Sequence, residues 1–222
     1  MNSGIIIINK PVGITSHDVV DRLRKITGIR KIGHTGTLDP LATGVLILLI
    51  GPATKLSQKF IGLDKTYQAK IKLGYTSNTD DREGEIKEVN LKIRPSLPEV
   101  KLALKKFIGE ISQIPPMFSA KKIKGKKLYQ LARQGKAIEV PGKQVVIYNI
   151  DLEKYQYPDL EIKVTCSSGT FIRALARDIG QALGTGAYLS GLVRLAVGDY
   201  LLGQAVELNE LTNDNWQDFL IN

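Results

Sequence analysis

Asp39 stands in the middle of "GHTGTLDPLATG", residues 33 to 44, beside one of only two histidines, His34. A lone carboxylate among glycine, threonine and proline can serve three ends. A phosphate cradle would need the spacing GxxxxGK[ST], and no glycine here is followed by Lys-Ser or Lys-Thr at that distance. An aspartyl-phosphate enzyme carries its acid two residues before "TGT", where this chain has Gly33. The third is a rigid loop that presents the Asp39 carboxylate. Pro40 biases Asp39 away from helical angles, Leu38 and Leu41 can anchor the loop in a core, and Gly36 and Gly44 permit tight turns. An ordinary Asp-Pro turn explains two of these residues and leaves ten without a purpose. His34, taken alone, reads as a polar turn residue.

The elements that must hold this loop follow from hydrophobic period and punctuation. "GIIIINKPVG" predicts a buried strand closed by Pro11 and Gly13, and "VLILLI" at 45–50 predicts another. Between them a helix starts at Thr15 or Ser16, with Asp18 as its acid, and stops at Gly28. A short helix is expected near 53–60. "KTYQAKIKLG" alternates as a strand with Tyr67, Ala69, Ile71 and Leu73 on one face. "YTSNTDDREGE" reads as a polar loop and "PEVKLALKKFIGEI" as an amphipathic helix. "QVVIYNIDLEKYQ" and "DLEIKVTCS" form a strand pair, "TFIRALARDIGQALG" a helix, "AYLSGLVRLAVGDY" a strand region, and the tail one or two short helices. Tyr67 by pattern is as much core as site. Arg173 lies near a helix start, where the helix dipole disfavours a cation.

The 222 residues suffice for one sizeable core, and no repeat or long linker divides them. The apolar runs are too short to span a bilayer, and the N-terminus lacks the pattern of a secretory signal. The single Cys166 excludes an internal disulfide, and with two separated histidines it does not suit a structural zinc site. These features predict a cytoplasmic protein. A net charge of +9 favours a polyanionic partner. The charge is concentrated: Lys121 to Lys136 holds seven Lys/Arg and no Asp/Glu, inside a proline-bounded arm at about 112–144. Its residues Phe118, Tyr129 and Leu131 interleave aromatic and apolar groups among the cations. A solvated charged face is the plain alternative.

"KIGHTGTLDPLATGVLILLIGPATK" resembles the catalytic segment of the bacterial tRNA pseudouridine synthase B family, TruB. The likeness continues in order through "DKTYQAKIKLG", "QIPPMFSAKKIKGKKLYQLARQG", "CSSGTFIRALARDIG" and "LVRLAVGDY", covering roughly residues 4 to 200. It implies an α+β pseudouridine synthase fold: a mixed, mainly antiparallel sheet flanked by helices, in a single catalytic domain over 1–222. The arm at 112–144 resembles the family's mobile RNA-binding thumb. The family's C-terminal RNA-binding PUA domain is expected to be missing.

The resemblance implies isomerisation of a uridine of the tRNA T loop, usually uridine-55, to pseudouridine. The N-glycosidic bond breaks, the uracil turns, and C5 bonds to the sugar carbon. Nothing is oxidised and no group is lost, so no metal or cofactor is expected. By resemblance Asp39 is the catalytic aspartate. Tyr67 stacks on the flipped uracil, and Arg173 pairs with Asp39 and keeps it ionised. His34 contacts RNA where the base has left the stack. Phe171 and Leu192 line the uracil pocket, with Phe171 at a position often tyrosine in the family. Lys121, Lys122, Lys124, Lys126 and Lys127 meet phosphates. Val193 stands where the family often has arginine. The partner is the tRNA T-arm stem-loop, bound by a monomer with no obligate protein partner and no membrane. The rival readings are a non-catalytic RNA-binding or RNA-folding protein and a synthase aimed at another RNA, for example a guide-dependent one.

Overall fold

The two apolar runs lie against each other along the whole length of the first strand. In the computed structural model, which describes residues 3–91, 93–118, 122–123, 126–127 and 140–221, they form strands β1 (Gly4–Lys10) and β3 (Ala42–Ile50). The remaining elements, in chain order, are α1 (Ser16–Thr27), β2 (Ile32–His34), α2 (Ser57–Ile61), β4 (Lys65–Leu73), β5 (Tyr75–Ser77) and β6 (Ile86–Glu88). Then come α3 (Leu97–Lys105), β7 (Gly109–Gln113), β8 (Lys122–Ile123), β9 (Lys126–Lys127), β10 (Lys143–Gln156) and β11 (Asp159–Cys166). The last are α4 (Ile172–Ala182), β12 (Ala187–Val197), β13 (Tyr200–Leu201) and β14 (Val206–Glu207). The chain divides into two compact units, residues 1–68 with 192–222, and residues 69–191. Strands β4 and β12 each pass from one unit to the other along the chain.

In the first unit β1 pairs antiparallel with β3, from Gly4 opposite Ile50 to Lys10 opposite Gly44, and parallel with β14. Both runs are apolar throughout because both faces of this sheet are covered. Ile6, Ile8, Leu46, Leu48 and Ile50 pack with Val19, Val20 and Leu23 of α1. Ile5, Ile7, Val45, Ile47 and Leu49 pack on the other face with Ala53 and Phe60. Helix α1 begins as expected. Thr15 is its N-cap in a reciprocal capping box with Asp18, and Gly28 ends it at φ 70°. The tail belongs to this unit's core through Leu208, Leu211 and Trp216. Its expected helices are instead β14 and a 3₁₀ turn over Trp216–Phe219.

In the second unit β11 pairs with β10 and β10 with β7, all antiparallel, while β5 and β6 form a hairpin. On β4 the alternation holds, with Ala69, Ile71 and Leu73 buried. The sheet is therefore mixed and mainly antiparallel, with helices against it. Two expectations change. The stretch expected as a polar loop contains β5, the turn of the β5–β6 hairpin and the buried Asp81. Helix α3 stops at Lys105 rather than running to residue 111, because Gly109 turns at φ 104° and β7 starts there to pair with β10. In the arm at 112–144, Lys121 and Lys124 lie outside the described residues. For Lys122, Lys126 and Lys127 only the backbone pairing of β8 with β9 is described.

Candidate active site

The twelve-residue stretch around Asp39 is a wide connection between two antiparallel strands. His34 ends β2 opposite Leu48, and Ala42 begins β3. One edge of β3 carries β1; the other carries β12 at Ala42–Gly44 and β2 at Leu48–Ile50. Between them the chain turns at Asp39. The Asp39 carbonyl accepts the Ala42 N–H at 3.0 Å, with Pro40 at the second turn position, where its fixed φ belongs. The Asp-Pro turn is thus real, and it forms only part of the loop.

Backbone bonds pin the residues on either side of Asp39. Ser16, the first residue of α1, accepts the Leu38 N–H at 2.8 Å and donates its hydroxyl to the Leu38 carbonyl at 3.1 Å. The Gly13 N–H donates to the Pro40 carbonyl at 2.8 Å, and the Thr35 N–H to Ile47 at 3.1 Å. Leu38 and Leu41 are buried in the core as expected, while Asp39 between them is half-buried. The carboxylate is therefore carried on a fixed backbone and keeps access to solvent.

Arg194 anchors the loop from the side, and its role was not foreseen. Only 2 % exposed, it donates from Nε to the Val45 carbonyl at 2.6 Å and from Nη2 to the Gly36 carbonyl at 3.1 Å. It lies on the same face of β12 as Leu192 and Ala196, so a cation at an apolar position was the available signal. Of the two neighbouring positions in "LVRL", Arg194 is the arginine this chain has, whereas Val193 is half-buried. Burial, then the Arg194 guanidinium, then His17 hold His34 below its ordinary pKa, so it is neutral at pH 7.

At Gly44 the backbones of β3 and β12 leave no room for a side chain. The φ of Gly44 is 104°, and a Cβ there would meet the Arg194 carbonyl oxygen at 2.3 Å. Gly44→Ala is expected to cost about 1–3 kcal/mol in backbone strain, with the overlap adding to it. The thermal midpoint should then fall by roughly 5 °C or more. An unchanged midpoint would show that β12 does not need this approach.

In the second unit Arg173 is the second residue of α4 and only 7 % exposed. Its Nη1 lies 3.3 Å from Asp81 Oδ2, and it donates to the carbonyls of Thr79 at 3.2 Å and Phe118 at 3.3 Å. Asp81, 2 % exposed, also accepts the Thr79 hydroxyl at 2.6 Å and the Glu83 N–H at 3.0 Å. One turn on, Arg177 pairs with Asp80 and Asp178, each at 2.9 Å. Two arginines at i and i+4 would repel along this helix. Two consecutive acids from one loop neutralise them. Desolvation, the largest cause, raises the Asp80 carboxyl above its usual range, against the opposing pull of Arg177 and Arg173.

Sequence reading set Arg173 near a helix start, where it lies, and missed Asp80, Asp81 and Arg177. The paired acids and the paired arginines were visible in the sequence. The turn at Asp80, with φ 61°, which aims the acids at the helix, was not.

The first unit gathers His34, Asp39 and Leu192 on the elements that flank β3, with Leu192 in register with Ala42. Tyr67 is buried on β4. Phe171 is the N-cap residue of α4, in the second unit. Among the described residues no three His, Cys, Asp or Glu are gathered as a metal ion would require. No helix among them is long and apolar enough to cross a membrane.

Residues 24–172 match the N-terminal domain of the TruB family pseudouridylate synthases, and residues 173–219 match the tRNA pseudouridylate synthase B C-terminal domain. The chain belongs to the TruB family. It is 47% identical over 222 residues to the tRNA pseudouridine synthase B of Clostridium novyi (strain NT), covering 99% of this chain and 75% of that one. The corresponding protein of Clostridium tetani (strain Massachusetts / E88) is 45% identical over 219 residues, with 99% and 76% covered. Among solved structures, a Cbf5-Nop10-Gar1 complex aligns with TM-score 0.75 and 29% identity, over 96% of this TruB chain and 54% of the other. An H/ACA RNP bound to a substrate RNA containing 2'-deoxyuridine aligns with TM-score 0.72 and 27% identity, over 97% and 55%. The TruB chain thus spans little more than half the length of those two solved chains. Their fold is the α+β fold of this protein.

Proposed function

We propose that this protein isomerises a uridine of tRNA to pseudouridine, at uridine-55 of the T loop, with Asp39 as the covalent catalyst. The observation that carries the reading is the Asp39 turn, half-buried and fixed on both sides through Gly13 and Ser16. A pure RNA binder has no need to immobilise one carboxylate in this way. In the reaction the N1–C1′ bond breaks and a C5–C1′ bond forms, while C5 loses a proton and N1 gains one. The charges balance without an oxidant, and the residues need to supply a nucleophile, a stacking surface, a cation and a group, the Tyr67 hydroxyl, that helps to remove the C5 proton.

Tyr67 supplies the ring that stacks on the flipped uracil, and Phe171 and Leu192 line the pocket. Arg173 supplies the positive charge that keeps Asp39 ionised, an assignment that rests on the family resemblance. His34, neutral and half-buried, fills the gap left by the extruded base, offsetting part of an unstacking cost of a few kcal/mol. Lys121, Lys122, Lys124, Lys126 and Lys127 bind phosphates of the T-arm stem. The protein acts as a cytoplasmic monomer and one catalytic domain, with no obligate protein partner.

Identity of 47% to a tRNA pseudouridine synthase B, against 27% to 29% for the H/ACA structures, favours tRNA over a guided RNA target. The test is pseudouridine mapping of folded, unmodified tRNA incubated with the protein in EDTA. A new pseudouridine at position 55 is expected; none anywhere in the tRNA would refute the reading. Lys126→Ala should lower the slope of log K against log[salt] by less than about one unit, with the saturated rate kept. An unchanged slope would remove Lys126 from the phosphate contacts.

A further inference from the structure

Gln113 is a fully buried side chain that the proposed chemistry does not use. Its amide meets both backbone groups of Phe171: Oε1 accepts the Phe171 N–H at 3.0 Å, and Nε2 donates to the Phe171 carbonyl at 3.3 Å. A buried amide that satisfies one donor and one acceptor of the same residue fixes that residue's direction as well as its place. Phe171 is the N-cap of α4, and no side chain caps this helix. Gln113 thus holds the start of the helix whose second residue is Arg173.

Two more bonds join the same segments. Arg177 donates from Nη2 to the Ile114 carbonyl at 2.9 Å, and Arg173 donates from Nη1 and Nη2 to the Phe118 carbonyl at 3.3 Å. Residues 113, 114 and 118, the root of the basic arm, are therefore bonded to residues 171, 177 and 173. Arg177 is in turn fixed by Asp80 and Asp178. The arrangement resembles a clamp: two guanidinium groups close on the stretch 113–118, punctuated by the buried Pro115 and Pro116, and the Gln113 amide reaches out from it to Phe171.

We propose that Gln113 and Arg177 are positioning residues of the reaction, which join the root of the basic arm to the first two turns of α4 and so set the direction of Arg173. This rests on the proposed role of Arg173. Neither residue needs to touch RNA. Loss of either lets the helix start shift against the arm root, and Arg173 shifts with it.

The experiment uses Gln113→Leu and the milder Arg177→Lys, which keeps the charge and loses the planar fork. Single-turnover rates at saturating tRNA should fall by about 10- to 100-fold, as a displacement near 1 Å can cause. The Kd for tRNA should stay within about threefold, since phosphate contacts dominate RNA affinity. In an Arg173→Ala background Gln113→Leu should add no further loss, because its effect passes through Arg173.

Additive losses, or a raised Kd with an unchanged rate, would overturn the assignment. Global unfolding of Arg177→Lys would do the same, because the residue would then be structural. A wild-type chain that forms no pseudouridine fails the functional reading alone. The clamp is then judged by amide exchange: Gln113→Leu must speed exchange at Phe171 and over α4's first turn, with α1 unchanged. Unaltered exchange at Phe171 would refute the clamp itself.

Discussion

Asp39→Asn is expected to abolish pseudouridine formation, lowering the single-turnover rate by several orders of magnitude while the Kd for tRNA stays within several-fold. The substitution keeps the shape and removes the nucleophile. The path of the loop should persist, because the bonds made by the backbone of Leu38, Asp39 and Pro40 are left in place by the change. The thermal midpoint serves as the control and should move little. On the proposed reading RNA affinity resides in phosphate contacts on the arm and in the fit of the loop, neither of which the change touches. An Asp39→Asn variant that forms pseudouridine at a rate comparable to the wild type would end the covalent-catalyst assignment, since an amide cannot replace a carboxylate in attack.

The parts of this architecture that depend on local sequence were readable, and the parts that depend on convergence were not. Helix α1 was bounded correctly because Thr15, Asp18 and Gly28 act within one turn of the ends they define. The inward face of β4 followed from its period of two. The function of Leu38 and Leu41 as anchors also followed, because apolar residues beside a turn have few other uses. By contrast, Asp81 sat inside a segment of eleven polar and small residues, and nothing in that segment marks which acid is buried. Its burial is set by Arg173, more than ninety positions later, and by the hairpin that turns Asp80. Arg194 was passed over for the same reason: its partners, Gly36 and Val45, lie about 150 residues upstream. The misjudged end of α3 has the same origin. Lys106 to Ile108 continue the helical pattern, and the pairing of β7 with β10 overrides it.

The ion pair between Arg173 and Asp81 carries the second large effect, and it can separate stability from catalysis. Arg173→Ala leaves the Asp81 carboxylate, 2 % exposed, without its guanidinium partner, and it removes a donor from the carbonyls of Thr79 and Phe118. Breaking one side of such a buried pair costs about 3–5 kcal/mol. For a chain of this length that corresponds to a fall in midpoint of roughly 10 °C. Turnover should also fall strongly, to a low but measurable rate, so the single variant cannot tell a missing catalyst from a weakened fold. The double variant Arg173→Met with Asp81→Leu can. It removes both charges together and fills the site with apolar groups of similar volume, which restores much of the lost stability. The midpoint should then recover by at least half of the loss, whereas turnover should stay as low as in Arg173→Ala because no cation is returned to the site. A double variant that regains both stability and pseudouridine formation would show that Arg173 serves the fold alone. The positive charge beside Asp39 would then have to come from another residue.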